Sequence, residues 1–301
     1  MHNLRPKFDK ILTIVKQSLK NIMDEDGNVI KPGLKPTFSD AGVITLSLLS
    51  ECLMLDSENY LFKILHKNHR SDFPSLIERS RYNRRRRQLA PFTEKVRQYL
   101  VDHLAQGEET FIIDSMPIPI CQFSRAKRSK VCSGNYPTAP SYGYCSAQNS
   151  TYYGYKLHGV STINGVITHF DISKAKMHDI EYLQDIRDHY TGCLLLGDRA
   201  YLSESLQLEL FETTDLLLRS PMRINQKKYK KQPAVFRKVR KRIETIFSQF
   251  CDQFRIQKNY AKSFIGFATR ILAKITGFTL LQFLNKYEFN NNLNHVKHAL
   301  I

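Results

Sequence analysis

Thr110-Phe111-Ile112-Ile113-Asp114-Ser115 is an apolar, β-forming run that ends abruptly in a carboxylate. Such a run reads as a buried strand. A carboxylate at the end of an apolar strand is costly to desolvate unless a basic side chain or a metal ion meets it. A second run of the same design, Cys193-Leu194-Leu195-Leu196, passes through Gly197 into Asp198, and the glycine permits close approach of a backbone or ligand. A third acid, Glu244, stands inside the basic helical pattern Arg237-Lys238-Val239-Arg240-Lys241-Arg242-Ile243, where helix propensity asks for no acid. Two strand-end aspartates and one helical glutamate are the minimum donor set for two Mg²⁺ ions. Each acid also has an ordinary reading: Asp198 as a helix N-cap or partner of Arg199, Glu244 as an i to i−4 partner of Arg240.

Downstream of Asp114 the pattern predicts strands at 153–160 and 166–172, joined by a hairpin turn at Asn164-Gly165. A helix near 180–190, a strand at 193–197, a helix near 204–211, a strand at 215–219 and two long helices follow. The order is β-β-β-α-β-α-β-α-α. The 38 residues 115–152 are rich in Ser, Tyr, Pro, Gly and basic residues, and that length marks either a functional loop or a flexible tether. Lys127 and Arg128 stand there among Phe123, Tyr136, Tyr142 and Tyr144, a mix suited to phosphates and unstacked bases. In the next connection, Asp179 reads as an N-cap, with His178 beside it.

Upstream, Leu4, Phe8, Ile11, Val15 and Leu19 recur at helical spacing, and Ser39, Ser75 and Thr93 read as N-caps of later helices. Residues 1–105 thus read as an all-helical segment, whose second and third helices could make either a helix-turn-helix or a packing module without a reading helix. The expected organisation is a helical DNA-binding segment at 1–105, a catalytic domain at 106–286 and a tail at 287–301.

With 45 Lys and Arg against 28 Asp and Glu, the formal charge of +17 calls for a polyanionic partner, nucleic acid first. The charge is clustered. Residues 219–242 hold eleven basic residues and no acid, and Arg84, Arg85, Arg86 and Arg87 form an unbroken run. The six cysteines include no C-x-x-C pair, which argues against zinc. The apolar stretch 264–284 is interrupted by Arg270 and Lys274, so we expect no membrane span and a cytoplasmic protein.

IIDS at 112–115, YGYKLHG at 153–159, ISKAKMHD at 172–179, LLGDRAY at 195–201 and RKVRKRIETIFSQF at 237–250 together resemble the RNase H-like fold. More narrowly they resemble a DDE transposase of a bacterial insertion sequence, of the family numbered nine-eighty-two. The resemblance implies an α/β protein with an RNase H-like mixed sheet, β-β-β-α-β-α-β-α, preceded by an all-helical segment. It makes Asp114, Asp198 and Glu244 a catalytic triad holding two Mg²⁺ ions, with Mn²⁺ as a substitute, for DNA cleavage and strand transfer at element ends. Partners would be double-stranded DNA, namely the terminal inverted repeats and the target, and a second copy of the chain in a DNA-bound homodimer near the nucleoid. Candidate DNA contacts are Arg84, Arg85, Arg86, Arg87, Lys127, Arg128, Lys156, Lys227, Lys228, Arg237, Arg240 and Lys241.

A related signature, Y-x2-R-x3-E-x6-K, is met at Arg240 and Glu244 but has Arg237 and Cys251 at its ends, so Arg255 and Lys258, further along the helical increment, are expected to replace the lysine. Two other classes compete. A transposase-derived repressor that binds without cutting is opposed by the three intact acids, and a stand-alone RNase H-like nuclease is opposed by the helical segment.

Overall fold

Leu4, Phe8, Ile11 and Val15 bury one stripe of a helix, Leu4–Ser18 (α1), in a computed structural model that describes residues 4–222, 225 and 229–298. Internal contacts divide the chain into two units, one of the residues up to Leu104 together with those from Asp252 onward, the other Ala105–Cys251.

In the helical unit α1 is followed by Asp40–Cys52 (α2), Glu58–Asn68 (α3), Arg79–Gln88 (α4) and Ala90–Leu104 (α5). Ser39 Oγ accepts from Gly42 N at 3.1 Å and caps α2, and Ser57 Oγ accepts from Tyr60 N and caps α3. Ser75 and Thr93 are not caps. α4 starts after Glu78, and Pro91 fits the first turn of α5, so Thr93 falls inside that helix, where its hydroxyl donates to Leu89 O.

The long helix Phe264–Tyr287 (α9) groups by its contacts with these five. The reason is electrostatic as well as apolar. Arg270 Nε and Lys274 Nζ on α9 meet the buried Glu51 carboxylate of α2 at 2.9 and 2.7 Å, and Lys274 also donates to Phe254 O at 2.6 Å. Burial alone would raise the Glu51 carboxyl, but the two cations hold it below its usual value. By length and composition α9 could cross a membrane; 83% of its most apolar stretch is instead buried.

The second unit is built on a sheet of Thr110–Pro119 (β1), Ser141–Cys145 (β2), Ser150–Thr162 (β3), Ile167–Lys174 (β4), Leu194–Leu196 (β5) and Leu217–Arg219 (β6). β3 runs antiparallel to β1 on one edge and to β4 on the other, and β1, β5 and β6 run parallel. The order β4-β3-β1-β5-β6 is that of the RNase H-like mixed sheet. The β3–β4 hairpin turns where expected, with Gly165 at φ 95° and its amide donating to Thr162 O.

The stretch 115–152 is not one long loop. β1 continues to Pro119, and β2 pairs back onto the first five residues of β3. Gly143 allows this: a Cβ there would lie 2.5 Å from Ala175 O. Helices Leu183–Ile186 (α6), Glu204–Thr214 (α7) and Ala234–Asp252 (α8) complete the unit. One face of the sheet buries Ile113, Val160 and Leu195 with Tyr182, Leu183 and Leu210. The helix expected near 180–190 is shorter than its pattern implied.

Candidate active site

Parallel pairing sets the first two acids side by side. β1 and β5 pair Ile112 with Leu196, and Asp114 and Asp198 each follow two residues later. Period two puts each acid on the same face as its paired residue, at matching heights just past the C-terminal end of the pairing. Gly197 has no room for a side chain, since a Cβ would press on Tyr201 and Ile113 at 3.1–3.2 Å.

Glu244 comes from α8, whose Ile243, Ile246, Phe247 and Phe250 are buried. Gly159 lies opposite Asp114 in the β1–β3 register, and the Phe247 ring comes within 3.4 Å of where its Cβ would be. The bare glycine thus lets Phe247 of α8 come close to β3 at the position paired with Asp114. Glu244 itself is 57% exposed in its side chain, and Arg240, one turn earlier, is 16% exposed.

The three acids act on one another. Burial pushes the Asp114 carboxyl up to about 7. Its hydrogen bond from Ser115 N, at 2.8 Å, and the nearby Arg240 pull it down, while Asp198 and Glu244 add repulsion. Asp198 Oδ1 accepts from Ala200 N at 2.8 Å and caps the short turn Arg199–Tyr201, the ordinary role foreseen for it, which occupies one of its two oxygens. Arg240 Nη2 lies 3.6 Å from Asp114 Oδ2 and 3.9 Å from Glu244 Oε1, while its buried Nε has no hydrogen-bond partner among the described residues.

Among the described residues no set of three or more His, Cys, Asp or Glu side chains is gathered closely enough to hold a metal ion. The donor chemistry nonetheless fits a hard divalent cation. All three groups are carboxylates, burial raises one of them, and the guanidinium of Arg240 beside it is incompletely engaged.

A cleft of about 420 Å³ opens on Asp198 and is walled by Arg199, Tyr229, Lys231, Arg237 and Arg240. Arg237 and Lys241 are exposed on α8, and Lys127 and Arg128 are exposed on a short turn after β1. Lys227 and Lys228 lie outside the described residues.

Three other candidate contacts are committed internally. Arg85 pairs with Asp40 at 2.6 Å, and Arg86 with Glu58 at 2.9 Å. Lys156 donates to Met177 O at 2.8 Å and pairs with Asp179 at 3.0 Å. Asp179 is therefore a counter-ion and not the N-cap, which is His178, whose amide donates to the Glu181 carboxylate. Arg255 lies beyond the end of α8 at Asp252, with φ 46°, and pairs with Asp56 in the helical unit, so it does not extend the Glu244 face.

Tyr201 has no role in the sequence reading, yet it is 1% exposed and its hydroxyl lacks a hydrogen-bond partner among the described residues. Burial drives its phenol well above the usual value, and Asp179, Asp114 and Asp198 push it the same way. The signal was its place three residues after Asp198, where the short turn folds it back under the acid. His158, on the same strand as Lys156, is lowered to about 4 by burial, against the pull of Asp179.

A family model described as a transposase DDE domain matches residues 105–280. No curated protein and no solved structure matches the chain.

Proposed function

The chain belongs to the transposase DDE domain family, and from that premise we propose that it cuts and joins DNA at the ends of an insertion sequence, with Asp114, Asp198 and Glu244 as the shared ligands of two Mg²⁺ ions. The family acts on DNA and depends on divalent metal. When bound, the ions would activate a water or a 3′ hydroxyl and stabilise the leaving oxygen of a phosphodiester.

The chain's own residues supply the rest. In the metal-free chain burial raises the Asp114 carboxyl to about 7, so a bound cation would take the place of its proton. Arg240 balances Asp114 and Glu244, and Arg199, Lys231 and Arg237 can line a phosphate backbone up with Asp198 along the cleft they share. Mn²⁺ would replace Mg²⁺, and the active form would be a homodimer on DNA in the cytoplasm, at the nucleoid.

The observation that carries this reading is the paired β1–β5 register, with Asp114 feeling the charges of both Asp198 and Glu244. The test uses duplex DNA carrying the element's terminal inverted repeats joined to flanking sequence. Wild type should nick and join it with Mg²⁺ and not with EDTA. Asp114→Asn, Asp198→Asn and Glu244→Gln should each lose several powers of ten in rate while still binding DNA. Full activity in both aspartate variants overturns the assignment, and DNA binding with no cleavage by wild type supports the repressor class instead.

A further inference from the structure

In the helical unit a cleft of about 770 Å³ lies between the start of α3, the α4 helix and the start of α9. Two acids face it, and both are already neutralised. Asp56 pairs with Arg255 at 3.5 Å, and Glu58 is held by Arg86 at 2.9 Å and by Asn83. Three cations that line it, Arg79, Arg87 and Lys262, have no acid partner among the described residues. Arg79 and Lys262 are exposed, and Arg87 spends only its Nε, on Asn83 O at 3.4 Å.

The cleft floor also holds an unspent donor. Arg86 is 5% exposed and leaves Nε buried without a hydrogen-bond partner among the described residues. The N-terminal end of the 24-residue α9 opens into the same space behind Ser263, adding the partial positive charge of a helix start. Arg87 reaches the same place: its Cδ lies 3.8 Å from the Cβ position of Gly266, in ordinary contact distance of the first turn of α9.

From this convergence we infer that the cleft binds the phosphodiester backbone of duplex DNA, with Arg79, Arg87 and Lys262 as phosphate contacts. The inference rests on the reading of the chain as a DNA-acting enzyme, and it extends that reading to a surface distinct from the three acids. Such contacts carry affinity through counterion release and not through base identity. A cleft with three unmatched cations should therefore govern how steeply binding falls with salt.

The experiment measures affinity of the full chain for a duplex of arbitrary sequence across a salt series, without divalent metal. The variant Arg79→Gln/Arg87→Gln/Lys262→Gln is compared with Lys20→Gln/Lys63→Gln/Lys67→Gln, which removes the same charge from exposed positions of the same unit outside the cleft. The cleft variant should lose about 2–3 units from the slope of log affinity against log salt, and the control less than about one. Should the Arg87 change loosen α4, Arg79→Gln/Lys262→Gln, both at exposed positions, should still lose about 2 units. A cleft variant that keeps the wild-type slope, or merely matches the control, overturns the inference and leaves the enzyme reading standing. A wild type with no salt-dependent DNA affinity overturns both.

Discussion

Arg240 Nη2 stands 3.6 Å from Asp114 Oδ2, too far to hydrogen-bond and near enough for its charge to lower that carboxyl. Burial and the charges of Asp198 and Glu244 push the other way. Arg240→Gln removes one lowering influence and leaves the Ser115 amide hydrogen bond in place. The Asp114 carboxyl should then titrate above about 7, and the acid limb of the pH–rate profile for DNA cleavage should move to higher pH. An unmoved limb means that Asp114 does not control it.

The same titration appears in stability. Asp114 holds its proton up to about 7 in the fold, against 3.8 as its ordinary value. A carboxyl raised in the folded state favours the fold at pH below 3.8, and that contribution is lost as pH climbs through about 7. The loss is on the order of 4 kcal/mol for a shift of this size. In EDTA, wild type should melt lower at pH 8 than at pH 5, and Asp114→Asn should flatten the trend and melt higher than wild type at pH 8. Parallel pH curves for the two proteins contradict the argument.

Glu51 balances two buried cations, Arg270 and Lys274. Glu51→Gln strands both and should cost about 3–5 kcal/mol, whereas Lys274→Met keeps the Glu51–Arg270 pair and should cost less. Denaturant titration checks the order. Equal costs mean that the pairing contributes little beyond packing.

Gly143→Ala places a methyl against the Ala175 carbonyl. β2 should detach from β3, so that amides of Ser141–Cys145 exchange faster while those of β1 stay protected. Unchanged exchange in β2 means that the strand can shift to make room.

The sheet was legible where apolar runs end in acids. Ile112-Ile113-Asp114 and Leu195-Leu196-Gly197-Asp198 announce both the strands and the acids, and Asn164-Gly165 announces the hairpin. What they leave open is the pairing that sets the two aspartates level, since register is a tertiary property. β2 was hidden because Ser141-Tyr142-Gly143-Tyr144 reads equally as loop, and it becomes a strand only where β3 offers a free edge. Within the run of four arginines, the internal pairing of Arg85 and Arg86 was hidden for a similar reason. Asp40 and Glu58, which claim Arg85 and Arg86, are far away in sequence. The placement of α9 depends on Glu51, more than two hundred residues from its partners. Tyr201 follows Asp198 closely enough to be noticed, but its burial beneath the acids is a product of the fold.

Mn²⁺ binding to the DNA-free chain at pH 8, followed by electron paramagnetic resonance, tests most directly whether Asp114, Asp198 and Glu244 form one metal site. Wild type should bind, and Asp114→Asn, Asp198→Asn and Glu244→Gln should each weaken binding by about tenfold or more. Two of the changes combined should cost less than the sum of their separate effects, because the acids share the same ions. If Glu244→Gln binds Mn²⁺ as wild type does, Glu244 is not a ligand, and if all three variants do, these acids are not the metal site.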